Sequence, residues 1–228
     1  MTRGVFVTGT DTGVGKTVAA CALLHALATR GIATMPMKPI AAGTEGGGEA
    51  NDDTLALLAA AGRDPSLASQ VTPVLLREAI APHIAAAHEG RSIDLAPVLA
   101  AFERLRAAGD FMVVEGVGGF RVPLGENLDT VDLARALQLP VVVVVGLRLG
   151  CLNHALLTAQ AISFAELELA GWIANAVTPH MPARSENIEA LRARMPAPLL
   201  GILPYRDPPQ PRLLAASLDL GPLLAATR

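Results

Sequence analysis

The sequence predicts an α/β fold, a doubly wound, mostly parallel sheet with helices on both faces, and three observations carry that expectation. Short apolar runs alternate with helical periodicity along the whole chain, with no internal repeats or low-complexity tracts. The run LPVVVVVGL, residues 139–147, has no polar alternation, which is how a strand buried on both faces reads. The chain is also 51% hydrophobic and 17% charged, against roughly 25% charged in an average globular protein, so it belongs to an ordered, deeply buried class. Its 228 residues fit a single domain spanning 1–228 with a sizeable core.

The elements follow in order. Strands are expected at residues 5–8, 34–38, 111–115, 141–145, 171–174 and 199–202. Helices are expected at 15–30, where Gly31 supplies the stop, and at 53–60, 95–107, 131–137, 154–164 and 185–194. The stretch GTEGGGEAND, residues 43–52, cannot pack a core and reads as a surface loop, either an ordinary connection or a loop that covers a site. YRDPPQPR, residues 205–212, reads as an irregular segment with too little chain after it to fold separately.

Composition and patterning exclude several classes. A net charge of −3 gives no basic field for nucleic acid, so a phosphorylated partner must be small and held by local groups. The longest apolar run falls far short of the roughly 20 residues of a membrane helix. Val5, Phe6 and Val7 give way at once to a glycine loop, unlike a signal peptide. Cys21 and Cys151 lack ligand spacing and suggest neither a disulfide scaffold nor a metal knuckle. A soluble protein of the reducing cytoplasm is expected.

The strongest local signal is TGTDTGVGKT, residues 8–17. Backbone N–H groups in a glycine-rich turn at a helix N-terminus point at phosphate oxygens, the lysine adds a cation, and the threonine hydroxyl is a magnesium ligand. The usual spacing puts the first glycine at position 10, but here position 10 is Thr10 and the glycine is Gly9. The loop is thus a variant, set between a strand and a helix as the P-loop NTPase type requires. Phosphoryl transfer also needs acids for magnesium at strand ends. Glu115 stands at the end of the strand FMVVE beside Gly116, Gly118 and Gly119. Asp52 and Asp53 open a helix, as simple caps or with one of them facing the metal. Lys38 closes the second strand before Pro39, so its ammonium is expected to project from the loop-bearing sheet edge, either solvated or as a second phosphate-facing cation.

With these elements in place, the chain resembles the dethiobiotin synthetase family over nearly its whole length. The match runs through VTGTDTGVGKTVAACALL, KPIAAG, PHIAAAHEGR, VVEGVGGFRVPL, LPVVVVVGLRLGCLNHALLTAQ, LAGWIANAVTP and PAPLLGILPY. GLRLGCLNHALLT, residues 146–158, is far more specific than the phosphate loop. The resemblance implies ATP- and Mg2+-dependent closure of 7,8-diaminononanoate with carbon dioxide, through a carbamate and a carbamic-phosphoric anhydride, at a homodimer interface. By position it implies that Gly13, Val14, Gly15, Lys16, Thr17 and Val18 wrap the ATP phosphates, with Thr17, Asp53 and Glu115 at magnesium. Thr12 with Gly116, Val117 and Gly118 would lie near the reacting groups, and Lys38 would be the active-site lysine. Asn175 would read the adenine edge, with Pro204, Tyr205 and Arg206 lining the base. Ala42 would face the substrate, whose distant carboxylate would be received by the second subunit's Gly150, Cys151 and Asn153, at a helix expected to begin near Asn153.

The chain departs from the pattern at two places. Ala42 stands where a serine is expected, so a hydroxyl contact is missing or supplied by Thr44, and Asn187 stands where some members carry an aromatic. His83 and His154 read as structural or interface residues. Two rivals use related loops. Partitioning ATPases carry a signature lysine at the position that is Asp11 here, and corrinoid amidation requires a glutamine-hydrolysing domain for which this chain has no room.

Overall fold

The computed structural model describes residues 3–44, 48 and 50–227. Its centre is a six-stranded sheet in the order β2-β5-β1-β6-β7-β8, every neighbouring pair parallel. The strands are β1 (Gly4–Gly9), β2 (Thr34–Met37), β5 (Phe111–Glu115), β6 (Val141–Gly146), β7 (Leu169–Asn175) and β8 (Leu199–Leu203). All six expected strands are present, and β5 has the expected bounds.

Strand alternation divides the apolar residues between two cores, one on each face. Phe6, Met35, Met37, Met112, Val114, Val141, Val143, Val145 and Trp172 enter one. Val5, Val7, Phe111, Val113, Val142, Val144 and Ile173 enter the other. The first face is covered by α5 (Leu95–Arg106), α6 (Thr130–Leu137), α7 (Cys151–Phe164) and α8 (Arg184–Arg192). The second is covered by α1 (Lys16–Ala28), α9 (Pro211–Leu214) and α10 (Gly221–Ala226). α2 (Asp52–Ala60) divides its side chains, Leu57 into one core and Leu58 into the other. Because the strands from β2 to β7 in sheet order bury both faces and only the edge strand β8 is partly exposed, apolar residues run on without the polar alternation of a half-exposed sheet.

Three expectations are corrected. A separate two-stranded parallel sheet, β3 (Ile40–Ala42) with β4 (Val74–Leu76), and the short helices α3 (Ala68–Val71) and α4 (Pro82–His88) lie between β2 and α5, where only the helix at 53–60 was expected. α7 begins at Cys151, ahead of the start expected at 153–154, because Gly150 takes the left-handed conformation (φ 94°) that sets its first turn. β2 ends at Met37, so Lys38 lies just beyond the strand. Of the glycine-rich loop, residues 45–47 and 49 lie outside the described residues. Its end is ordered by Asn51, whose side chain caps α2 through the Asp53 N–H and also donates to the Gly43 carbonyl at 2.5 Å.

β1 is the switch point of this sheet, with β5 and β2 on one side and β6, β7 and β8 on the other. Ligands of open parallel sheets lie beyond the carboxyl ends of the strands at such a point. There the phosphate loop leaves β1, Glu115 ends β5, Lys38 follows β2 and Asn175 ends β7.

Candidate active site

The loop between β1 and α1 is shaped by two glycines. A Cβ on Gly9 would lie 2.6 Å from Val14 Cγ2, so the displaced first glycine is the seat on which buried Val14 packs. Gly15 caps α1 in the left-handed conformation (φ 83°), and no side chain bonds the first turn. The opening N–H groups of α1 thus remain available to an anion, as at any uncapped helix start. A Cβ on Gly15 would lie 2.1 Å from Asn175 Nδ2, which itself donates to the Val14 carbonyl at 2.9 Å. Gly15→Ala is therefore expected to cost about 1–3 kcal/mol through backbone strain alone. That lowers the melting temperature by several degrees, read by differential scanning calorimetry at fixed protein concentration.

Lys16 is buried, and its ammonium donates to the Asp11 carbonyl at 2.9 Å. Burial brings its pKa down to about 8, only partly opposed by Glu115. Asp11 organises the loop further. One carboxylate oxygen accepts the Thr12 N–H at 2.8 Å, and the other pairs with the Arg148 guanidinium at 2.5 Å. Neither Asp11 nor Arg148 was singled out from sequence as a site residue. Thr12 itself is exposed on the lip of the loop, its hydroxyl close to Gly118.

Below the loop, four side chains from four elements converge. Thr17 Oγ1 lies 2.9 Å from Asp53 Oδ1 and 2.9 Å from Glu115 Oε1. Lys38 Nζ lies 2.5 Å from the same Glu115 Oε1, 3.1 Å from Asp53 Oδ2 and 3.3 Å from the Gly116 carbonyl. Asp53, not the exposed Asp52, faces this cluster. Lys38 is thus buried and paired, a correction to its expected projection from the sheet edge. Burial would lower its pKa, but Glu115 and Asp53 outweigh it and hold the ammonium above the ordinary lysine value. Burial likewise opposes ionisation of Asp53, and Lys38 with Thr17 reverses it, holding that carboxyl below its usual range. Cys21, one turn along α1 from Thr17, is pushed up to about 12 by burial and then by the two carboxylates, so it stays a thiol.

The donor set fits a divalent cation. Glu115 is fully buried, yet its Oε2 has no hydrogen-bond partner among the described residues. A hydroxyl has one proton, so Thr17 satisfies one of the two carboxylates it touches and presents a lone pair to the other. Among the described residues no three His, Cys, Asp or Glu side chains form a metal-holding group. A cation here would have few protein ligands and would draw the rest from phosphate and water, which is the habit of magnesium.

Asn175, with Gly13, Gly15, Val18, Pro204, Tyr205 and Arg206, lines a cavity of about 160 Å³ beside the loop. The sequence thus brings the expected base-contacting residues together, although one proton of the Asn175 amide is already spent on Val14. Gly116, Val117 and Gly118 continue from Glu115 towards Thr12. Ala42 is half-buried in β3, and the nearby Thr44 hydroxyl is buried without a partner among the described residues. Gly150, Cys151 and Asn153 form the uncapped start of α7, removed from the Glu115 cluster along the sheet edge. Asn187 lies in α8 and bonds the Ala183 carbonyl at 2.8 Å.

Comparison with known proteins adds a relationship to this geometry. A family model described as an AAA domain matches residues 3–211. The chain is similar to the ATP-dependent dethiobiotin synthetase BioD of Aromatoleum aromaticum, 54% identical over 220 residues that cover 96% of this chain and 97% of that one. Among solved structures it resembles the cell division ATPase MinD of Pyrococcus furiosus, with TM-score 0.51 and 19% identity over 91% of this chain and 85% of that one. It also resembles the signal recognition particle receptor FtsY of Elizabethkingia anophelis, with TM-score 0.50 and 15% identity. This chain is covered to 95% in that match and spans 65% of the FtsY chain. The two structural likenesses concern the fold.

Proposed function

The chain belongs to the ATP-dependent dethiobiotin synthetase family, and from that premise we infer that it closes the ureido ring of dethiobiotin at the Lys16, Lys38 and Glu115 cluster. The substrates are 7,8-diaminononanoate, carbon dioxide and ATP. One amine adds to carbon dioxide and loses a proton, giving a carbamate. A carbamate oxygen then attacks the γ-phosphorus and ADP leaves. The second amine attacks the carbamoyl carbon, and phosphate departs with the former carbamate oxygen. No protein nucleophile is needed.

The observation that carries this reading is the pair of buried cations. A lysine on the phosphate loop and a second lysine beyond β2 stand at one sheet edge with two carboxylates between β5 and α2. Lys16 swings from the Asp11 carbonyl to the terminal phosphates, and the N–H groups of Gly13 to Val18 hold the others. Lys38 meets charge developing on carbamate and phosphoryl oxygens, where a fixed cation in a dry site is worth most. Thr12 and Gly118 hold the reacting groups against the γ-phosphate. Asn175, Pro204, Tyr205 and Arg206 take the base. Thr17, Asp53 and Glu115 hold Mg2+, which when bound neutralises phosphate charge.

The working form is a homodimer of single-domain chains, and the second copy's Gly150, Cys151 and Asn153 receive the substrate carboxylate. Exposed apolar side chains on and before α7 support it, with Leu149 96% and Phe164 88% exposed. No helix among the described residues is long and apolar enough to cross a membrane, in keeping with a cytoplasmic enzyme.

Lys16 sets a pH dependence. Its folded pKa of about 8 means that the ammonium becomes a neutral amine as pH rises through 8 in the nucleotide-free protein. The triphosphate then meets no charge at Lys16, so kcat/KM for ATP falls above pH about 8. Bound phosphate favours the charged lysine, so kcat at saturating ATP holds to higher pH. Initial rates from pH 6.5 to 9.5 (assay range, about one unit and a half either side of 8) at low and saturating ATP check this.

The function is tested by incubating the protein with diaminononanoate, bicarbonate, ATP and Mg2+, and following dethiobiotin and ADP by mass spectrometry. One ADP per dethiobiotin is expected. ADP without ring product would reject the reading.

A further inference from the structure

We propose that Lys38 is the resident counter-ion of the divalent-cation seat, and that its ammonium vacates the carboxylates when the cation enters. The inference rests on the proposed metal role of Thr17, Asp53 and Glu115. The geometry points to it directly. The Lys38 ammonium contacts Glu115 Oε1 at 2.5 Å and Asp53 Oδ2 at 3.1 Å. The Thr17 hydroxyl touches that same Oε1 and the other oxygen of Asp53, both at 2.9 Å. Ammonium and hydroxyl therefore bracket the same two carboxylates. Magnesium needs oxygens at about 2.0–2.1 Å in near-octahedral array. Glu115 Oε2 is open to such a cation, but a cation there stands beside the ammonium that is 2.5 Å from Oε1 of the same carboxylate, and two positive charges in one buried seat repel strongly.

Lys38 has somewhere to go. Its flexible four-carbon stem carries an ammonium already 3.3 Å from the Gly116 carbonyl, at the start of the glycine segment that leads to Thr12 and Gly118. On leaving the carboxylates it turns along that segment, towards the carbamate and the transferred phosphoryl group. The consequence is an order of events: the lysine is locked on Glu115 and Asp53 until the metal-nucleotide complex is seated, and only then becomes available to the activated substrate. The fully buried Glu115 thus has a compensating cation in both states.

The test uses Mn2+ as probe, without nucleotide, titrated by the electron paramagnetic resonance signal of the free ion. Wild type is compared with Lys38→Met, Lys38→Arg and the double variant Lys38→Met/Glu115→Gln, each checked for folding by circular dichroism. Lys38→Met is expected to bind Mn2+ at least about tenfold more tightly than wild type, the low end of what close charge pairs contribute. Lys38→Arg, which keeps the cation, is expected to bind like wild type, and the double variant to lose the gain. Equal binding by wild type and Lys38→Met, with binding lost in the double variant, would overturn the displacement while leaving the metal reading intact. Equal binding by Lys38→Met and the double variant would instead reject the metal reading, and the displacement with it. Should Lys38→Met not fold, the wild type labelled with 15N-lysine decides. The Lys38 ammonium signal, assigned by its absence in Lys38→Arg, must shift on saturation with Mg2+, and an unmoved signal overturns the proposal.

Discussion

Lys38→Ala is expected to lower the turnover number of ring closure by about 10²–10³-fold, the range found when one group that stabilises transition-state charge is removed. ATP affinity should not weaken, because the phosphate loop and Lys16 remain and the incoming metal-nucleotide complex no longer has an ammonium to displace. The distinction matters: a defect in kcat without a rise in KM for ATP is what loss of a transition-state contact produces, whereas a general disruption of the site lowers kcat and raises KM. The variant leaves two carboxylates facing each other across the Thr17 hydroxyl, so the protein should be least stable without divalent cation and recover with it. Steady-state kinetics at saturating diamine, with a melting curve in Mg2+ and in chelator, check both parts.

Glu115→Ala is expected to have the second large effect, on stability as much as on rate. Glu115 is wholly buried, and Lys38 is nearly so. Removing one partner of such a pair costs up to about 3–5 kcal/mol, and here it leaves Lys38 with only the partly exposed Asp53. For a chain of this length the melting temperature should fall by roughly 10 °C. The double variant Lys38→Met/Glu115→Leu should be more stable than Glu115→Ala, because it buries no under-compensated ammonium and fills the space of the lost carboxylate. It should also be inactive. A Glu115→Ala variant as stable as wild type would mean that the pair contributes nothing to the fold.

Much of this architecture was legible in the sequence for one reason: a parallel sheet covered on both faces writes itself as continuous apolar runs. The valine run of β6 and the FMVVE strand are such cases, and the tip of the latter placed Glu115 correctly. β3 and β4 were missed because three residues, IAA and VLL, are too short to show a period, and their pairing joins positions more than thirty residues apart. Asp52 and Asp53 were indistinguishable locally. The choice falls to Asn51, which caps the helix and so sets which carboxylate faces inward. The burial of Lys38 was unreadable for a different reason, since its main partner lies 77 residues away and long-range pairing leaves no local pattern. Asp11 did leave a signal, a lone acid inside a phosphate loop in a chain poor in charge. Its use in holding Lys16, Thr12 and Arg148 was the part that needed coordinates.

If Lys16 and Lys38 serve the phosphorylation of a carbamate, the fate of oxygen must show it. Ring closure begun with 18O-labelled bicarbonate in unlabelled water, and sampled before label exchanges with solvent, is predicted to place one labelled oxygen in inorganic phosphate for each labelled dethiobiotin formed. Labelled dethiobiotin accompanied by unlabelled phosphate would rule out a phosphorylated carbamate.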